Sequence, residues 1–266
     1  MPTTYQIEYM DFFIISVVAL TTSLLTLFSG FGLGTLLMPI IALFFPIEVA
    51  ITITAIVHFA NNGFKVLLIG KHASLSAVIK FGLPAAFFAL LGALFLTNIL
   101  ITNQVITYHI LSYEFTTSRL GIIIGSLILL FVVIELAPFF KSFFISKKYL
   151  PVGGAISGFL GGLSGHQGAF RSMFLLRAGL SKEQFIATGV LLAVLVDLNR
   201  LVIYGWHFGS TNINVNWWLV LSACISAFVG TYFGKKLLTK VTIDNVQKFV
   251  SVTLVFIAIG LITGTV

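Results

Sequence analysis

Long apolar stretches separated by short polar loops run along almost the whole chain. Six of them, residues 47–69, 81–101, 120–137, 181–204, 216–233 and 246–263, reach or approach the roughly 20 residues with which a helix crosses a hydrocarbon core. Two others, 12–45 and 151–180, are longer and broken by glycines. Helix starts are marked at the element after each break: Pro46 with Glu48 in the first turn, and Ser181 with Gln184 three residues on, the spacing of a capping box. The pattern predicts an all-α polytopic membrane protein.

The chain is also self-similar. The segment from Ser29 to Gly70 recurs about 135 residues later, from Ser164 to Gly205. In that register Gly30 falls on Gly165, Gly70 on Gly205, Asn62 on Asp197 and Lys65 on Arg200, and Gly92 matches Gly230 with a small slip. Two repeats follow, about 12–137 and 151–264, each a glycine-broken stretch followed by three ordinary spans.

Charge then orders the loops, because cytoplasmic loops collect Lys and Arg. Lys71 and Lys80, Lys141 with Lys147 and Lys148, Arg177 with Lys182, and Lys235, Lys236 and Lys240 should lie inside. Loops 102–118 and 206–215 contain no Lys or Arg and should lie outside. Every loop obeys the rule if each broken stretch enters and returns to one face as a hairpin of two short helices, with both termini outside. Three crossings per half then invert the second repeat, and inverted repeats with broken helices are a recurrent transporter architecture.

Composition narrows the picture further. With 58% hydrophobic residues, 9% charged and a mean hydropathy of +1.10, the chain needs lipid as its solvent. No long polar insert interrupts it, so residues 1–266 read as one membrane domain, and the first apolar stretch lacks the basic flank of a cleavable signal, so Met1 is expected to be retained. A net charge of +7 is scattered over short loops, without the basic face that nucleic acid would require. Cys224, the single cysteine, excludes an internal disulfide and a Cys-cluster metal site, and its place in an apolar span suggests a buried inert thiol. No motif implies a metal or another cofactor.

The glycine breaks carry the candidate chemistry. A helix starting after a glycine turn offers free N–H groups and the positive end of its dipole to an anion. The first tip supplies Gly30, Gly32 and Gly34; the second supplies Ser164, Gly165, His166, Gln167, Gly168 and Arg171. Close helix packing is the alternative use of such glycines. Arg171, about one turn into its helix, should lean back so that its guanidinium reaches the tip, whereas Arg177 is placed to snorkel. On the paired spans, His58, Asn61 and Asn62 correspond to the region of Asp197, Asn199 and Arg200, a possible coupling pathway. Asp197 and Arg200 are three apart and could equally form a neutral structural pair; if functional, Asp197 is the candidate for proton or cation coupling. The substrate set is therefore expected at the two tips and the coupling set on the spans beside them.

Gly30-Phe-Gly-Leu-Gly34 with Pro39, the run from Gly158 through Gly161, Gly162, Ser164 and Gly165 to Gly168, and Gly230-Thr-Tyr-Phe-Gly234-Lys-Lys resemble the TauE/SafE family of sulfite and sulfonate exporters. The resemblance extends from Ser29 to about Ile262. It implies transport of small sulfur-containing or organic anions across a cytoplasmic (inner) membrane and no enzymatic activity. The partners so implied are a small anion and membrane lipid; a coupling proton or cation is the partner that a functional Asp197 would add, and a homo-oligomer is compatible with them. Gly162-Leu-Ser164-Gly165 also looks like the GxSG of rhomboid intramembrane proteases, with Ser164 as nucleophile, but the later histidine, His207, falls in an expected outer loop. A non-transporting scaffold is a third reading, and it leaves Arg171 and Asp197 unexplained.

Overall fold

A computed structural model describes residues 9–29, 32–102, 104–136, 146–176, 178–210, 215–237 and 243–265. The first break joins α1 (Tyr9–Ser29) to α2 (Leu33–Ile41), and α3 (Ile47–Ile69), α4 (Leu75–Ile101) and α5 (Arg119–Leu136) follow. The second joins α6 (Leu150–Ser164) to α7 (Gly168–Leu175), followed by α8 (Lys182–Ser210), α9 (Trp217–Leu237) and α10 (Ile243–Thr263). The predicted spans thus appear in order, and the chain is an all-α polytopic membrane protein. The arms of the broken stretches are unequal, however. Helix α1 has 21 residues, about 30 Å of rise, where a short arm was expected, while α2 has 9. In the second break α6 has 15 residues and α7 has 8.

The helix starts form as their residues dictate. Pro46 caps α3 with Glu48 in its first turn. At α8, Ser181 N–H donates to Gln184 Oε1 at 3.1 Å and Gln184 N–H donates to Ser181 Oγ at 3.2 Å, which closes the capping box. The segment expected as a plain outer loop instead contains a hairpin, β1 (Val105–Ile110) antiparallel to β2 (Tyr113–Ser118), with Val105 opposite Ser118 and Ile110 opposite Tyr113. Its β-branched and aromatic residues were the available signal. Thr117 Oγ1 donates to Leu261 O at 3.0 Å and Tyr108 Oη to Thr263 O, fixing the hairpin to the end of α10.

The principal helix contacts map onto one another when the two repeats are exchanged. Helix α4 of the first repeat packs along α6 of the second, and α9 of the second packs along α1 of the first. Helices α3 and α8, equivalent to each other, pair at the centre, as do α5 and α10. The α4/α6 contact is made by small residues. Gly154, Gly158 and Gly162 lie directly on the backbone of Phe81, Ala85 and Ala89, and Gly92 on that of Phe159. Gly230 and Gly234 approach Leu20 and Leu24 of α1 in the same way. Lipid provides no hydrophobic drive between helices, so such close backbone approach supplies the dispersion contact that replaces it. Outward-facing Leu67, Leu83, Phe87, Val133, Val202 and Phe256 are all more than half exposed, as lipid contact requires. Trp206, Trp217 and Trp218 are exposed around the loop between α8 and α9, where interfacial aromatics belong. Cys224 is only half-buried, a correction to the buried thiol expected of it.

Candidate functional site

Both breaks deliver their tips to the central α3/α8 pair. Gly32 caps α2 in an extended conformation (φ −84°, ψ 142°). Gly165 ends α6 in the left-handed region (φ +82°), its N–H donating to Gly161 O at 2.8 Å. The tips approach each other: a methyl added at Gly34 would lie 3.8 Å from Gly165 O, 3.4 Å from Thr54 and 3.7 Å from the His58 ring. One at Gly32 would lie 3.2 Å from His58 Nε2, and one at Gly165 only 2.5 Å from Arg200 Nη1. Small residues at these positions let two backbones close around side chains from α3 and α8. Gly30 lies outside the described residues, as does Arg177.

Asp197 is the hub of the buried cluster. Its Oδ2 is 2.6 Å from His58 Nδ1, and its Oδ1 accepts from Arg200 Nε at 3.0 Å and from Gln167 Nε2 at 3.5 Å. Arg200 Nη2 forms an ion pair with the same oxygen at 2.9 Å, and Nη1 is buried without a hydrogen-bond acceptor. Asn62 Nδ2 reaches His58 at 3.2 Å, whereas Asn199 turns away and donates to Leu195 O of its own helix at 2.7 Å. Among the sequence-predicted residues, then, His58, Asn62, Gln167, Asp197 and Arg200 are joined directly, with Gly32, Gly34 and Gly165 against them.

The other second-tip residues line adjoining space. Ser164 Oγ donates to Leu160 O at 3.2 Å and lies 3.1 Å from His166 Nδ1. The His166 ring stacks on Phe131 of α5 with centroids 5.1 Å apart, and its Nε2 has no partner. Gly168 begins α7. Arg171 is buried, but its Nε lies beside Gly189 of α8, where an added methyl would be 3.4 Å away. Gly189 precedes Asp197 by two helical turns, roughly 12 Å of rise. Arg171 therefore stands at a different level from the Asp197 cluster rather than at the tip itself, with Nη1 unpartnered.

Several members were not anticipated. Tyr204, seven residues after Asp197 on the same face of α8, donates to Gly162 O at 2.6 Å and ties α8 to the last turn of α6. Ser157 Oγ holds Gln167 O at 3.0 Å. Asn61 lies in a neighbouring cluster with Ser23 of α1 and Thr231 of α9, whose hydroxyls are 2.7 Å apart. With its amide turned to satisfy both ends, Asn61 donates to Thr231 Oγ1 at 2.8 Å and accepts from Lys65 Nζ at 3.3 Å. The helical spacing of Asp197 and Tyr204 was readable; the partners from α1, α6 and α9 depend on packing.

Arg200, buried beside the two tips with Nη1 free to donate, suits a small anion. Neither a search of curated proteins nor one of solved structures finds a match. The sulfite exporter TauE/SafE family matches residues 15–261. A polytopic helical fold with paired glycine breaks, matched over nearly its whole length, belongs to the TauE/SafE family of membrane transporters.

Proposed function

We propose that this transporter exports small sulfur-containing or organic anions, such as sulfite or sulfonates, from the cytoplasm across the inner membrane, binding them between the two tips. The supporting observation is that Arg200 Nη1 and Arg171 Nη1 are buried without a hydrogen-bond acceptor. An unpaired buried donor is costly, and an oxyanion is the ligand that would satisfy several at once. The first-turn N–H groups of α2 and α7 add partial positive charge from both sides. In this reading Gly32, Gly34, Gly165 and Gly168 admit the anion to the backbone, Gln167 and Arg200 contact it there, and Arg171, two helical turns away, meets it further along the path. The repeats are inverted, the breaks are re-entrant, and both termini face outside.

Coupling to protons would pass through His58 and Asp197. Arg200 already neutralises the carboxylate, so the exchangeable proton belongs to the imidazole. With Nδ1–H donated to Asp197, neutral His58 accepts from Asn62 Nδ2 at Nε2, beside the first tip. Protonation adds an Nε2–H donor and a positive charge beside the anion, so that anion and proton favour each other's binding.

A thermal-shift screen in detergent over sulfite, thiosulfate, sulfoacetate, taurine and carboxylates, followed by flux in proteoliposomes, tests the proposal. It expects stabilisation and flux by at least one sulfur oxyanion. Absence of both across the panel would remove the anion site.

A further inference from the structure

The repeat that equates Lys65 with Arg200 and Asn62 with Asp197 exposes a charge that is not balanced. Arg200 has a carboxylate three residues earlier on its own helix; Lys65 has an amide in that place. Lys65 is nevertheless buried, at 5% exposure, and accepts no compensation elsewhere: neither it nor Arg171 has an ion-pair partner among the described residues. Among the described residues its Nζ reaches the Asn61 oxygen, at 3.3 Å, within the Ser23–Thr231 cluster, and it lies within Coulombic range of Arg171. Asn61, Asn62 and Lys65 follow His58 at three, four and seven residues, one continuous face of α3 leading from the Asp197 cluster to this lysine. Leaving the histidines aside, the buried charged residues described are Lys65, Arg171 and Arg200 against Asp197 alone, an excess of two positive charges when all four are ionised.

We infer that Lys65, with Asn61 and Arg171, forms an inner anion station that makes the pathway selective for doubly charged small oxyanions over singly charged ones. This rests on the proposed anion site and assigns it a substrate charge. A buried cation without a counter-ion is costly, and a dianion is the cargo that neutralises the excess fully. A monoanion leaves one of these buried positive charges uncompensated. Lysine suits a transit position because a compact, rotatable ammonium follows a moving oxyanion, whereas a guanidinium holds two oxygens in a fixed fork.

Calorimetric titration of the detergent-solubilised full chain, at constant ionic strength, would compare thiosulfate, a dianion, with methanesulfonate, a monoanion. Wild type should bind thiosulfate the more tightly. Lys65→Gln should weaken thiosulfate about ten- to a hundredfold, the loss of one charge-assisted contact, and change methanesulfonate by less than about threefold. Lys65→Arg should keep the preference. Asn62→Asp, which supplies the missing carboxylate while retaining Lys65, should abolish it, and this second variant decides the matter if Lys65→Gln does not fold. Wild type that binds methanesulfonate as tightly as thiosulfate overturns the inference without any variant, and so does an equal loss of both anions in folded Lys65→Gln. Wild type that binds neither anion removes the underlying anion site instead.

Discussion

Replacing Asp197 by Asn removes the charge from the hub while preserving its shape. Arg200 then loses its only carboxylate, and His58 loses the charged acceptor 2.6 Å from Nδ1. Removing one partner of a buried ion pair costs about 3–5 kcal/mol. The amide keeps one oxygen for Arg200 Nε, which places the expected cost near the lower end, about 3 kcal/mol. For a chain of this size each kcal/mol shifts the melting temperature by about 2–4 °C, so a fall of roughly 6–12 °C is expected in detergent. The same site reading makes a second demand: an oxyanion beside Arg200 can replace the missing carboxylate. At one fixed saturating concentration the gain follows RT ln(1 + [L]/Kd), so the tighter Kd that replacement of the carboxylate implies adds about 1.4 kcal/mol per tenfold to the variant's gain over that of wild type. Fluorescence-monitored melting with and without thiosulfate should therefore show a larger anion-induced rise for Asp197→Asn than for wild type, and proteoliposome flux should lose its pH dependence. A variant that melts within about 2 °C of wild type, or gains no more from anion than wild type does, would refute the placement of an uncompensated Arg200 at the anion site.

Other consequences follow from the same geometry. Arg171→Ala should weaken anion binding about ten- to a hundredfold in folded protein, with Arg171→Lys a poor substitute, while Arg177→Ala changes little; equal losses at both arginines in a titration would indicate general electrostatics. Gly165→Ala combines a left-handed backbone with a methyl 2.5 Å from Arg200 Nη1, so it should displace the guanidinium and reduce flux at least tenfold, read in proteoliposomes. Tyr204→Phe should lower stability by about 1 kcal/mol through the lost bond to Gly162 O, measurable as a melting shift of about 2–4 °C. In a Cys224→Ser background, single cysteines at Ser74, Thr211 and Thr239 should be labelled from outside only at Thr211. Thr211 and Thr239 lie outside the described residues, so labelling at Thr239 but not Thr211 would restore a full crossing at the second break.

Much of the architecture was legible along the chain because it is written in local terms. Span length follows from bilayer thickness, and residues 47–69 were predicted to the same limits as α3. The Ser181–Gln184 box announced α8 because both partners lie within one turn. Of the glycines that recur at matching places, Gly92 and Gly230 each lie on the backbone of a neighbouring helix, and the same register aligned Asn62 with Asp197 and Lys65 with Arg200. The hairpin at 105–118 was missed although its residues favour strands, since its docking on α10 involves residues about 145–155 positions away. Helix packing alone decided that His58 would meet Asp197 across 139 residues, that Asn199 would turn to its own helix, and that Arg171 would stand two turns from the hub. Sequence spacing specifies which face of a helix a side chain occupies, but not which neighbour that face meets or at what depth. Those depend on how closely two backbones approach, and here glycines on α6 and α9 set that distance.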